Sequence, residues 1–141
     1  MINKFDGEFS FLSNFFECPV TFDGLTFGNS EAAFQAQKTL DVKDRMEFTT
    51  LTGGKAKRKG RKIQLRSDWD KVKFDIMYKI CSVKFNQNPE LAQRLLETGE
   101  EELVEGNTWN DRIWGVCNGQ GMNMLGKILM RIRSELQKNQ S

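Results

Sequence analysis

The apolar spacing from Trp69 to Phe85 constrains this chain more than any other feature. Trp69, Val72, Ile76, Ile80 and Val83 recur at steps of three and four, which marks one face of an α-helix. Phe74, Met77, Cys81 and Phe85 widen that face so far that little wet surface remains. Such a helix must be packed inside other elements, so the helix beginning near Asp68 is expected at the centre of a mainly helical core. Ser67 and Asp70 have the spacing of a capping box at its start. Asn86-Gln87-Asn88-Pro89 breaks it, with Asn88 capping and Pro89 opening a helix through Leu91, Leu95 and Leu96 that Gly99 terminates.

Shorter elements surround this centre. Val20-Thr21-Phe22 and Leu25-Thr26-Phe27 flank Asp23-Gly24, the signature of a tight β-hairpin. Gly28-Asn29-Ser30 then supplies turn and N-cap chemistry for a helix whose Ala33, Ala36 and Leu40 line a buried side. Glu31, Gln35 and Lys38 form a polar stripe on that helix, facing either solvent or a cleft. Asp41 caps a helix containing Val42, Met46 and Phe48, which Gly53-Gly54 ends. A last helix carries Leu125, Ile128, Leu129 and Ile132. Gly121 to Lys127 matches GxxxxGK, but Ile128 stands where a magnesium-binding Ser or Thr is required, so it is not a phosphate loop. Gly126 instead marks a close helix contact. The expected fold is mainly α: a multi-helical single domain over residues 1–141 with a small N-terminal β-hairpin.

Composition excludes several chemistries. The 141 residues contain no histidine, which removes every His-based triad and, with scattered Cys18, Cys81 and Cys117, the usual zinc sites. The odd number of cysteines argues against a disulfide framework and for a reducing compartment. No apolar run is long enough to span a bilayer and the N-terminus lacks a signal-peptide core, so a cytoplasmic protein is expected. A net charge of +2 does not by itself imply nucleic-acid binding. Acid–base work must fall to carboxylates, lysine or tyrosine.

Four stretches carry the residue types that such work needs. Ser13 and Asn14 interrupt the aromatic run from Phe9 to Phe16, as a local turn or as a ligand-contacting loop. Lys55 to Lys62 is the densest basic run, readable as a solvated helix end or as a phosphate clamp. Arg61 and Arg66 are the better phosphate candidates, because a planar guanidinium can bind two oxygens at once. Arg66 beside Trp69 could hold a flat heteroaromatic group. Finally, Asn107, Trp109, Asp111, Arg112 and Trp114 crowd one irregular segment, which lines a site or plugs the end of a helical core.

Phe11-Leu-Ser-Asn-Phe15, Glu31-x-x-Phe-Gln-Ala-x-Lys38, Ala56-Lys-x-x-Gly-Arg61, Leu65-Arg-x-Asp-Trp69, Glu105-x-Asn-x-Trp-x-Asp-x-x-Trp-Gly115 and Gly121-x-Asn-x-Leu-Gly126 together resemble the NADAR, or YbiA-like, family. The resemblance covers nearly the whole chain, with Ala32 and Asn110 standing where many members have histidine and glycine. It implies a mainly helical fold and an N-glycosidase that removes ADP-ribose from modified guanine, in nucleotides or DNA, or that cleaves phosphorylated ribosylamino-pyrimidine intermediates of riboflavin synthesis. No cofactor or metal is implied. By position, Glu31, Lys38, Trp69, Asp111 and Trp114 match the family's site residues and are expected to line one cleft. Glu31 and Asp111 would share the acid and base duties, with Lys38 offering a Schiff-base route. Ser13, Asn14, Arg61, Arg66, Asn107, Trp109 and Asn123 are the remaining candidates for substrate contacts. A non-catalytic module reading ADP-ribose would use the same residues.

Overall fold

Asp23 and Gly24 both take left-handed backbone angles, φ 51° and 84°, the geometry that lets a two-residue turn join twisted antiparallel strands. They connect β1 (Glu17–Phe22) to β2 (Leu25–Asn29) in the register Val20↔Phe27, Thr21↔Thr26, Phe22↔Leu25. Val20 and Phe27 point into the core and are fully buried, while the hydroxyls of Thr21 and Thr26 meet at 2.8 Å on the outer face. In the computed structural model, which describes residues 1–140, the chain gathers into two compact units. One is residues 14–88; the other joins residues 1–13 to residues 89–140.

The first unit holds the hairpin and four helices: α1 (Ser30–Ala36), α2 (Val42–Met46), α3 (Gly53–Gly60) and α4 (Trp69–Gln87). As its spacing predicts, α4 is the longest element, and it packs against both β1 and α1. Met77, Ile80, Cys81 and Phe85 supply its buried face. Gln87, at its end, accepts from Thr21 N–H and donates to Thr21 carbonyl, each at 2.8 Å, and Asn88 donates to the carbonyls of Lys84 and Pro19.

Four local expectations need correction. Gly53 and Gly54 do not end α2; they begin α3, with Thr52 as N-cap accepting from Lys55 N–H. The reason is tertiary, because a Cβ at position 53 would collide with the Phe15 ring. Asp68 and not Ser67 is the N-cap of α4, and no capping box forms, since the Asp68 carboxylate is taken by Arg66. Phe48 lies in the turn beyond α2 and is buried there. Leu40 lies past the end of α1 and is 64 % exposed, so of Ala33, Ala36 and Leu40 only the two alanines are buried, beside Phe34 and Gln35.

The second unit contains a 3-10 turn (Gly7–Leu12), α5 (Pro89–Glu97) and α6 (Met124–Asn139), with α5 packed on α6. Ile2 pairs in parallel with Leu103, and Leu91, Leu95, Leu125, Leu129 and Ile132 fill the interior. Gly126 does mark a close approach: any Cβ there would strike the Leu103 carbonyl, so the neighbour is extended backbone and not a helix. Among the described residues no helix is long and apolar enough to cross a membrane.

Candidate active site

The start of α1 is fixed from two directions. Asn29 caps it, its side-chain oxygen accepting from Ala32 N–H at 2.7 Å while its amide donates to Leu51 carbonyl. Asn14 holds the other side: its carbonyl accepts from Glu31 N–H at 2.9 Å, and its buried side chain takes the Ser30 hydroxyl and donates to the Met77 sulfur. Asn14 thus works as a fastening for the helix through bonds to residues far along the chain, and not as a local turn capping its own backbone. Ser13 is the half-buried end of the 3-10 turn in the other unit, its N–H bonded to Ser10 carbonyl.

So anchored, α1 presents Glu31 in its first turn, where the helix dipole favours a carboxylate. Glu31 is half-buried, and its Oε2 accepts from Gln35 Nε2 at 2.7 Å. The helix ends at Ala36, which puts Lys38 in the turn that follows, its carbonyl accepting from Arg66 N–H at 2.8 Å. Lys38 is half-buried, and that desolvation pulls its amine below the ordinary lysine value. Glu31 acts in the opposite sense, and the nearby cations Arg61 and Lys57 push the amine further down. Glu31, Lys38, Lys57 and Arg61 are therefore one electrostatic group, built where α3 packs on α1.

The basic run contributes unequally. Arg61 is exposed at the end of α3; its backbone N–H bonds to Arg58 carbonyl, while its guanidinium makes no hydrogen bond or ion pair with the described residues. Arg66 is committed instead, with Nε and Nη2 bonded to the two Asp68 oxygens at 2.6 and 3.1 Å and Nη1 directed at Gln37 carbonyl. Trp69 is 7 % exposed, its ring 5.1 Å from Phe34 in a tilted stack, so it backs α1 from within and offers little open face. A cavity of about 520 Å³ is lined by Asp41, Asp44, Glu47, Lys59, Lys62 and Arg66, with Lys59 and Glu47 ion-paired at 3.3 Å. None of Glu31, Lys38, Arg61 or Trp69 lines it.

In the second unit the polar residues of the 105–123 segment are largely turned to their own backbone. Asp111 Oδ1 accepts from Ile113 and Trp114 N–H, at 3.1 and 2.9 Å, while its Oδ2 accepts no hydrogen bond among the described residues. Asn107 closes a ring with Asp111, accepting from its N–H and donating to its carbonyl, and also reaches the Glu105 carboxylate at 3.0 Å. Asn123, in a left-handed conformation with φ 52°, accepts from Glu105 N–H and donates to Leu103 carbonyl. Trp114 is half-buried, whereas Trp109 is 58 % exposed at the loop tip.

The sequence places Gln35 in the polar stripe and Lys57 and Gly60 in the basic run, but does not tie them to Glu31. The Glu31–Gln35 pair has a readable signal, the i,i+4 spacing of a helix. The other two depend on α3 meeting α1, which no local pattern announces.

A NADAR domain family model matches residues 2–137. The chain is 42% identical over 133 residues to N-glycosidase YbiA of Shigella boydii, covering 92% of this chain and 82% of that protein. It is 39% identical over 140 residues to a riboflavin biosynthesis protein of Vibrio vulnificus, covering 95% of this chain and 37% of that longer one. The NMR structure of YbiA from Escherichia coli superposes with a TM-score of 0.86 at 37% identity, covering 99% of this chain and 89% of that one. The chain belongs to the NADAR domain family.

Proposed function

We propose that this protein is an N-glycosidase that hydrolyses a ribosyl C1′–N bond, and that its substrate is ADP-ribosyl guanine. The observation that carries this reading is the grouping of Glu31 with Lys38, Arg61 and Lys57 on the α1–α3 face. A carboxylate and a depressed lysine amine stand together there with cations suited to phosphate. The names of the similar proteins, N-glycosidases and a riboflavin biosynthesis protein, support the reaction class.

Cleavage of an N-riboside passes through an oxocarbenium-like state, so negative charge beside the sugar and a base for water are the two needs. Glu31 meets both. Water bonds to C1′ and gives its proton to Glu31, while the C1′–N electron pair leaves with the base, which takes up a proton. The family resemblance makes Asp111 a second catalytic carboxylate; one of its oxygens accepts from the Ile113 and Trp114 amides. Arg61 takes the substrate phosphate, a role its exposed fork fits better than the engaged fork of Arg66. The covalent alternative runs through Lys38, whose lowered amine could attack C1′, expel the base and open the ring to an iminium that water then releases.

Incubation with ADP-ribosyl guanosine should release free guanine-containing product and ADP-ribose; binding without release would make the protein a reader of ADP-ribose. The relatedness to a riboflavin biosynthesis protein favours a second substrate, a ribosylamino-pyrimidine phosphate, and a panel containing both ranks them by kcat/KM.

A further inference from the structure

Gln35 is buried in α1 at 6 % exposure, and the two ends of its amide are treated very differently. Nε2 donates to Glu31 Oε2 at 2.7 Å, whereas Oε1 is buried without any hydrogen-bond partner, the sole such side-chain atom among the described residues. An ionised carboxylate can only accept, so the donor end must face Glu31 and the acceptor end is left over. Buried polar atoms are nearly always paired, and one that is not points to a function that outweighs its cost. A methionine would fill nearly the same volume with no orphaned oxygen. The fold itself therefore has no use for this amide.

The unpaired oxygen lies against Gly60, the last residue of α3. A Cβ built there would overlap Gln35 Oε1 and press on the amide carbon. Glycine at this position is a socket for the amide, and it lies one residue before Arg61. The charged and titratable groups around this end of α1 are Lys38 in the following turn, Lys57 and Arg61 on α3, and the buried thiol of Cys81 on α4.

We propose that Gln35 is the positioning residue for Glu31, and that Gly60 is the seat that holds Gln35 in place. The donated bond fixes one carboxylate oxygen and with it the side-chain rotamer, and a donor of this kind favours the ionised form that a base requires. This rests on the reading of Glu31 as the base. Neither residue touches substrate in this assignment; both act through Glu31.

The test measures kcat and KM against pH for Gln35→Met, Gly60→Ala and the double variant, with thermal unfolding followed in parallel. The substrate is ADP-ribosyl guanosine, or the ribosylamino-pyrimidine phosphate if the wild-type protein turns over that one instead. Gln35→Met should keep or raise the melting temperature and leave KM nearly unchanged. Its kcat should fall roughly 10- to 100-fold, as expected when a reacting group is slightly misplaced. The acid limb of its kcat profile should move to higher pH, because a donor to the ionised carboxylate is gone. Gly60→Ala should reproduce both changes from α3, and the double variant should be no worse than the more affected single one. Wild-type kcat and an unmoved acid limb in Gln35→Met would overturn the proposal. So would a Gly60→Ala effect that simply adds to that of Gln35→Met. Glu31→Gln separates the two levels: if it keeps full turnover, the assignment of the base falls, whereas if it loses turnover while Gln35→Met does not, the positioning role alone falls.

Discussion

Residues 29–38 and residues 105–123 carry the same mixture of carboxylates, amides and aromatics, yet the fold uses the two sets in opposite ways. In the second segment Asn107, Asn123 and one oxygen of Asp111 satisfy backbone groups of a loop that has no regular ladder. In the first segment the helix satisfies its own backbone, and two asparagines complete its start, so the side chains of Glu31 and Gln35 bond to each other and not to backbone groups. Regular structure frees side chains for chemistry, whereas an irregular loop consumes them in holding its own shape.

The largest effect that could break this contrast is at Glu31. Glu31→Gln should lower turnover about 10²- to 10⁴-fold while calorimetry finds substrate binding retained. Loss of binding with normal turnover of what does bind would instead make the stripe a recognition surface. Next in size, Asn123→Ala removes bonds to two backbone groups and places alanine at a left-handed angle. It should cost roughly 1–3 kcal/mol in denaturant-derived stability with kcat of the folded protein little changed. Asp111→Asn sharpens the point, because it preserves the capping bonds while deleting the charge. Unchanged stability with lost turnover is expected if the open oxygen is catalytic.

Arg61 and Arg66 should separate along the same line. Arg61→Ala is expected to raise KM about tenfold, the value of one charge-assisted bond, with kcat and stability preserved. Arg66→Ala should mainly lower stability, since its fork ties Asp68 and Gln37 carbonyl together. The smallest effect is a slope. Lys84 is 1 % exposed between Phe16 and Phe85, and burial holds its amine below the ordinary value. Between that lowered value and the unfolded one the unfolded chain binds more protons, so stability rises with pH, by at most about 1.4 kcal/mol per unit. Lys84→Met should flatten this rise in unfolding measured from neutral pH up to about 10.

What could be read in advance follows the range of the physics involved. The hairpin was legible because Asp23-Gly24 needs only its own backbone angles, and α4 because its periodicity is local. The role of Gly53 was not, since two glycines read as a breaker until Phe15 is seen to need the space. Glu31 and Lys38 stood out by spacing. The seat at Gly60 and the capture of Arg66 by Asp68 did not, because each depends on which neighbour competes for a side chain once the chain is folded.

The grip of Gln87 on Thr21 has a consequence for the solubility of the molecule. A two-stranded ribbon leaves the outer edge of each strand open, and open edges invite strands from other molecules. By donating to and accepting from the same residue of β1, the Gln87 amide imitates the pairing a third strand would provide. Residue 21 is thus closed to addition of a foreign strand by a side chain from the end of the longest helix. Gln87→Ala would reopen that edge, and the variant would be expected to associate at concentrations where the parent chain stays dispersed.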